Sequence, residues 1–217
     1  MRIGILGGTG KEGAGLAQRW ALGGHEVIIG SRDAGRARAK AAELSVLAGN
    51  AAMTGMSNLE AARAASVVVL TLPATGLAAT LVPLEEACRG KVVISTVVPL
   101  TFGGGRLFTP PPQGSSAEEV QELLGAEARV VAAFHHIAAH ELSATEHAIE
   151  CDLLLCGGDA EAKKTVGELA HTMGLRAVDV GALTNAGPLE GITAVLATIN
   201  RRYKLKNSGI KITGLPA

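Results

Sequence analysis

The segment Arg2-Ile-Gly-Ile-Leu-Gly-Gly-Thr-Gly-Lys-Glu-Gly13 constrains this chain more than any other. A short apolar strand runs straight into a glycine turn that opens a helix. The spacing Gly8-x-Gly10-x-x-Gly13 is that of a dinucleotide-binding loop. Such a loop needs a tight turn, close backbone approach to a pyrophosphate, and close packing of helix on strand. The following helix would aim its free N–H groups and positive dipole end at the phosphates. Glycine spacing alone is weak, since Gly7-x-x-Gly10-x-x-Gly13 fits as well and a purely structural turn would read alike. Context strengthens it: an amphipathic stretch, Gly15–Leu22, comes next, and Glu26-Val-Ile-Ile-Gly30 returns as a second strand.

The end of that second strand bears on which nucleotide is bound. NAD sites of this kind place an acid about 20 residues past the glycines, where it accepts from the adenosine ribose. This chain instead reads Ser31-Arg32-Asp33-Ala-Gly-Arg36. Ser31 offers a hydroxyl and Arg32 a planar fork suited to phosphate. Arg36, four residues on, reaches the same end of the next helix. These residues favour a 2′-phosphate and hence NADP. Two other readings stay open: Ser31 or Asp33 merely caps the helix between solvated arginines, or Asp33 holds a ribose.

Strands and helices alternate nearly to the end, which predicts an α/β fold: a Rossmann-type, doubly wound, mostly parallel sheet with a small C-terminal helical extension. The 217 residues suit a single domain over 1–217, with 181–217 forming a C-terminal helix and tail. A helix is expected over Ala34–Leu47, a short strand near Ala51–Met53, and a small helix capped by Asn58. Ser66–Leu72 and Lys91–Val97 read as strands buried on both faces, stopped by Pro73 and Pro99. A helical segment is expected from Pro73 to about Cys88. Thr101–Ser115, with Gly103-Gly-Gly105 and Pro110-Pro-Pro112, reads as a surface excursion, and Ser116-Ala-Glu-Glu119 as a capping box. Further strands are expected near 129–133, 151–155 and 176–180, with helices near 160–173 and 189–203.

Composition removes several function classes. Lys+Arg and Asp+Glu stand at 20 each, so no charge excess suggests a nucleic-acid or membrane surface. The aromatics are Trp20, Phe102, Phe108, Phe134 and Tyr203, too few for a base-stacking platform. Cys88, Cys151 and Cys156 are odd in number and lack C-x-x-C spacing, against a disulfide framework or zinc site. No apolar run approaches spanning length and the first strand starts at Arg2, so a soluble cytoplasmic protein without a leader is expected.

Ligands of such sheets sit beyond the carboxyl ends of the strands. The candidates there are Thr9, Ser31, Leu72-Pro73-Ala74, Val98-Pro99 and His135-His136. Val98-Pro99 would back a nicotinamide ring as a rigid apolar wall, or would simply stop a strand. His136 and His140 have i, i+4 spacing but no supporting acidic or cysteine ligand set, so pocket-lining or part-buried histidines are expected and no metal. The one tyrosine, Tyr203, lacks a lysine four residues on, which excludes the Tyr-x-x-x-Lys dehydrogenases. No Gly-x-Ser-x-Gly or Walker loop is present.

Together, Gly7–Gly13, Gly30-Ser-Arg32, Val69-Leu-Thr-Leu-Pro73, Val97-Val-Pro99, Ala132-Ala-Phe-His-His136 and Ile199-Asn-Arg-Arg-Tyr-Lys204 resemble the NADPH-dependent reductases of the deazaflavin coenzyme F420. The likeness spans essentially the whole chain. It implies reversible hydride transfer between NADP(H) and coenzyme F420, in a protein that is commonly a homodimer and works with small-molecule cofactors. By position, it assigns Gly8, Thr9, Gly10, Lys11 and Glu12 to the pyrophosphate loop and Ser31, Arg32 and Arg36 to the 2′-phosphate. Ala74, Val98, Pro99 and Ala139 would border the nicotinamide side, and Ser208 in the tail would contact the deazaflavin, whose pocket 181–217 would complete. His135 would touch the deazaflavin or manage the accompanying proton. Two departures stand out: Gly187, where some archaeal members carry arginine, and the unusual Pro188-Leu-Glu-Gly191. They support one rival, an NADP-dependent reductase with another acceptor (flavin, imine or metal chelate); a non-enzymatic NADP-sensing module is a second, against which stands the long chain after His136.

Overall fold

The computed structural model describes residues 1–49 and 52–215. Its strands are β1 Arg2–Leu6, β2 Glu26–Ser31, β3 Met53–Ser57, β4 Val67–Leu70, β5 Val92–Ser95, β6 Arg129–Ala132, β7 Asp152–Gly157 and β8 Arg176–Asp179. They lie side by side in the order β3-β2-β1-β4-β5-β6-β7-β8. Neighbours from β3 to β6 pair in parallel, β6 and β7 pair antiparallel, and β7 and β8 are again parallel. The mostly parallel, doubly wound sheet is therefore as expected, with its last two strands reversed.

The helices are α1 Lys11–Leu22, α2 Ala34–Leu47, α3 Asn58–Ala64, α4 Leu77–Leu81, α5 Glu85–Cys88, α6 Ser116–Leu124, α7 Ala139–Ser143, α8 Ala160–His171 and α9 Ala186–Tyr203. Side chains alternate across the sheet because successive Cβ atoms of a strand point to opposite faces. Ile3, Ile5, Val27, Ile29, Val67 and Val69 enter one core with Leu16 and Trp20 of α1, Leu44 of α2 and Val166 of α8. Leu6, Ile28, Val68 and Leu70 enter the other, with Ala61 of α3, Val120 of α6 and Leu189 of α9. Covering both faces is what allows the central strands to be apolar throughout.

Four local expectations need correction. Asn58 does not cap α3: Ser57 does, in a capping box with Glu60, and Asn58 Oδ1 instead accepts from the Gly7 N–H at 3.3 Å. The cap of α6 is Ser115, whose hydroxyl accepts from Glu118 N–H at 3.0 Å, so Ser116 is the first helical residue. The single helix expected before Cys88 is instead α4 and α5 joined by a 3₁₀ turn over Val82–Leu84, because Pro83 has no N–H to continue the ladder. The strand after α2 starts at Met53, and Ala51 lies outside the described residues.

Two polar anchors position the functional segments. Arg19 of α1 donates to the carbonyls of Leu142 at 3.0 Å and of Glu141 and Ala144 at 2.7 Å, which fixes α7 and the turn after it. Arg176 grips Asp152 through Nε and Nη2 at 2.9 and 2.7 Å and also reaches the Ile212 carbonyl at 2.7 Å. The Ile212 N–H returns to Asp152 at 2.6 Å. The tail that carries Ser208 is thus tied to the start of β7, and the guanidinium holds the Asp152 carboxyl below the usual range.

Candidate active site

The glycine loop has the local structure that its spacing suggests. Gly7 takes φ +76° and makes the turn, a conformation that a Cβ would strain. A Cβ on Gly13 would lie 2.7 Å from both Thr71 Oγ1 and Gly8 Cα, so this glycine permits the close approach of α1 to the residue after β4 and to the loop itself. Gly10 differs: a Cβ there would meet nothing nearer than the Gly7 carbonyl at 3.5 Å. The protein itself leaves room at Gly10, and the space is turned toward whatever approaches the loop. The first N–H groups of α1, from Lys11 to Gly13, have no intrahelical acceptor and form the anion-facing end.

At the end of β2, Ser31 is buried while Arg32 and Arg36 are exposed. Asp33 Oδ1 accepts from the N–H groups of Gly35 and Arg36 at 2.7 and 3.1 Å, and the Asp33 N–H donates to Ser31 Oγ at 3.2 Å. Asp33 is therefore occupied as the cap of α2. Neither arginine has an ion pair among the described residues. Two guanidinium groups without ion pairs among the described residues thus stand at the carboxyl end of β2.

Three cavities gather several of the other expected residues, while Gly8, Glu12 and His135 line none of these three. One of about 460 Å³ is lined by Thr9, Gly10 and Lys11 together with Ala139. A second of about 530 Å³ lies between Ala74 and Val98-Pro99, closed by Thr101 and Pro111 of the long loop. The third, of about 510 Å³, holds Ser208 with His136, Ala138 and Glu141. Ala138 and Ala139, adjacent in the chain, line different cavities, one beside the glycine loop and one beside the tail. Ser208 is fixed there, its N–H donating to Asn200 Oδ1 at 3.1 Å and its hydroxyl to the Leu196 carbonyl at 3.3 Å.

The Phe134–His136 segment is held by its own strain and packing. Phe134 has φ +66°, rare for a residue with a side chain. Its ring meets Trp20 edge-on, with centroids 5.5 Å apart. His135 is 6% exposed, and burial, with a smaller effect of His136, pushes its imidazole down to about 3. Burial likewise lowers His136, whose Nε2 lies between the Asp152 carbonyl at 3.0 Å and the Leu154 N–H at 3.2 Å. Burial disfavours the charged form of both rings. His140 is exposed on α7 beside Glu141 and does not join them. Among the described residues no group of three or more His, Cys, Asp or Glu could hold a metal ion.

Two carboxyls named in the sequence, Glu12 in the loop and Glu190 in the unusual Pro188–Gly191 run, have side-chain surroundings that the sequence did not foretell. Glu12 turns its side chain inward against Thr96, with Oε1 enclosed and unpartnered. Glu190, on α9, is 1% exposed and accepts from Ser116 and Ala117 N–H groups at 3.0 Å each. Burial is the chief cause that raises each to about 7. An acid in the middle of an apolar helical stretch, as at Glu190, was the available signal.

Comparison with known proteins places this arrangement. Residues 2–99 match the family described as NADP oxidoreductase, coenzyme F420-dependent. An F420-dependent NADP reductase of Methanocaldococcus jannaschii is 42% identical over 99% of each chain. The chain belongs to the F420-dependent NADP reductase family. A second reductase so named, from Methanothermobacter thermautotrophicus, is 39% identical over 100% of this chain and 96% of its own. A crystal structure from Arthrobacter sp. FB24, described as a proposed F420-dependent NADP-reductase, superposes with a TM-score of 0.83 at 26% identity. It covers 97% of this chain and 98% of that one. Against the reductase family, Gly187 is a steric matter here: its Cβ position lies 2.8 Å from the Gly114 carbonyl, which leaves no space for a side chain.

Proposed function

We propose that this member of the F420-dependent NADP reductase family transfers a hydride directly between NADP(H) and coenzyme F420. The observation that carries the reading is the pair of unpaired guanidinium groups, Arg32 and Arg36, beside a glycine loop, in a chain 42% identical end to end to such a reductase. The pyrophosphate would rest on Gly8, Thr9, Gly10 and the N–H groups of Lys11 and Glu12, with the 2′-phosphate between Ser31, Arg32 and Arg36. The nicotinamide end would run past Ala74 and Val98-Pro99 toward Ala139. The deazaflavin would take the cavity with Ser208, so that residues 181–217 complete its pocket within one domain.

The bound cofactors supply the electronic chemistry of hydride transfer. The protein's contribution is orientation and a dry slot. Donor and acceptor carbons need to sit about 3–3.5 Å apart, and Ala138 and Ala139 are small enough not to wedge the rings. His135, as a neutral imidazole, suits contact with the deazaflavin better than proton exchange with solvent.

We also propose a homodimer working in the cytoplasm. On α9, Val195 is exposed and Ile192 and Ile199 are half-buried, an apolar stripe that a second copy would cover. Cys88, Cys151 and Cys156 are free and buried, which suits a reducing compartment. Among the described residues, no helix is long and apolar enough to cross a membrane.

A second reading keeps NADP and changes the acceptor, favoured by the closed space at Gly187 where some family members carry arginine. One assay separates the two. Oxidised F420 mixed with the protein should lose its visible absorbance with NADPH far faster than with NADH. Tight NADPH binding without bleaching would select another acceptor; tight binding without turnover on any acceptor would leave a sensing module.

A further inference from the structure

Segment 138–150 lines two of the cavities. Ala139, His140 and Ser143 belong to the one with the glycine loop, and Ala138, Glu141, His147 and Glu150 to the one with Ser208. At its centre is α7, five residues long, and a helix so short is marginal on its own. The segment therefore takes its shape from what it leans on, which is α1. Gly15 admits the contact: a Cβ there would lie 2.6 Å from Leu142 Cβ. One turn further on, Arg19 is 7% exposed and turns its guanidinium into the segment. Its Nε donates to the Leu142 carbonyl at 3.0 Å, and its Nη2 to the carbonyls of Glu141 and Ala144 at 2.7 Å and of His147 at 3.1 Å. Glu141 and Leu142 stand at the end of α7, where a helix leaves its carbonyls unpaired. Of the four residues held, Glu141 and His147 line the cavity of Ser208, and none lines the cavity of the glycine loop.

Resting on the reading that coenzyme F420 takes the cavity with Ser208, we infer that Arg19 is a positioning residue for the second substrate: from the nucleotide-binding helix, it holds the backbone of 141–147 in the shape that the deazaflavin requires. It acts through the carbonyls it grips and touches neither substrate. A planar fork of five donors is what lets one side chain span four carbonyls; a lysine keeps the charge and loses the fork. Because the grip falls on the acceptor cavity, its loss should be felt by F420 and not by NADPH, which the glycine loop and the arginines after β2 would hold.

The test compares wild type, Arg19→Lys, Gly15→Ala and Gly4→Ala in F420 reduction at saturating NADPH, in NADPH titration and in thermal melts. Arg19→Lys should lower kcat/KM for F420 by about 100-fold, the order expected when a site is misplaced by ~1 Å, with the Kd for NADPH unchanged. Gly15→Ala displaces the same segment by crowding Leu142 while Arg19 stays intact, so it should show the same F420-selective loss, and it decides the matter if Arg19→Lys does not fold. Gly4→Ala brings a Cβ within 2.8 Å of the Ala61 carbonyl in the other core. It is the destabilised control, and its melting temperature should fall without any such selectivity. Parallel losses for F420 and NADPH, or an F420 loss in Gly4→Ala equal to that in Arg19→Lys, would make the arginine merely structural and overturn the assignment, while the F420 reading stands. Wild type that binds NADPH and leaves F420 unreduced overturns the F420 reading and this inference with it.

Discussion

Glu190 on α9 caps α6 from outside: its Oε2 accepts the Ser116 N–H at 3.0 Å, across 74 residues of sequence. With Oε1 on Ala117 and the Ser115 hydroxyl on Glu118, three donors of the first turn of α6 are satisfied. The same turn of α9 brings Gly187 against the Gly114 carbonyl. The unusual Gly187–Gly191 run is thus a docking surface for the end of the long loop.

Glu190→Ala leaves two buried N–H groups without acceptors and should destabilise by about 1–3 kcal/mol for each. Glu190→Gln restores one acceptor and should cost less. Burial lifts this carboxyl from 4.5 to about 7, so folding takes up a proton between those values. The resulting stability is present below about 4.5 and lost as pH rises through 7. Denaturant melts should therefore find the gap between wild type and Glu190→Gln widest near pH 5 and narrowing toward pH 8; a constant gap would contradict the assignment.

Gly10 and Gly13 should separate binding from folding. Gly13→Ala forces a Cβ within 2.7 Å of Thr71 Oγ1 and should lower the melting temperature, at about 1–3 kcal/mol. Gly10→Ala meets nothing nearer than 3.5 Å, so stability should hold within about 0.5 kcal/mol while NADPH affinity drops. Thermal melts paired with NADPH titration check both.

Replacing Arg32 and Arg36 by alanine should raise the KM for NADPH and leave that for NADH nearly unchanged. Each charge-assisted hydrogen bond from a guanidinium to the phosphate is worth about 1.5–3 kcal/mol. Both side chains are exposed, so the fold should be untouched. Equal losses for the two nucleotides would mean that the 2′-phosphate lies elsewhere.

His135 should not titrate during turnover. Burial takes it from 6.5 to about 3, so the unfolded chain binds a proton below 6.5 that the native protein refuses. Its contribution to stability is complete above 6.5 and fades as pH falls toward 3, opposite in sign to Glu190. Between pH 6 and 8, kcat for His135→Asn should keep the shape of the wild-type profile even where its height changes. A lost limb would make His135 a proton carrier.

The apolar runs at Arg2–Leu6, Val67–Leu70 and Val92–Ser95 declared themselves because a strand covered on both faces is apolar throughout. The bounds of α2, Ala34–Leu47, were equally legible from its breaks and cap. The reversal between β6 and β7 was not, since side-chain alternation has the same period in parallel and antiparallel strands. Cap positions at Ser57 and Ser115 each differed by one residue from the expected ones, because neighbouring Ser and Asn residues compete for that place and packing decides.

The sequence by itself determined the strand–glycine turn–helix unit at the start of the chain, the basic end of β2 and the cap of α2 by Asp33 or its neighbour, all of which rest on contacts between residues near one another in the chain. The tertiary structure alone decided that Glu12 points inward to Thr96, that Ala138 and Ala139 line different cavities, and that Glu190 serves α6. Each of those depends on which distant backbone or side-chain atom comes within hydrogen-bond reach. Spacing along a chain does not encode that distance; packing of helices on the sheet does.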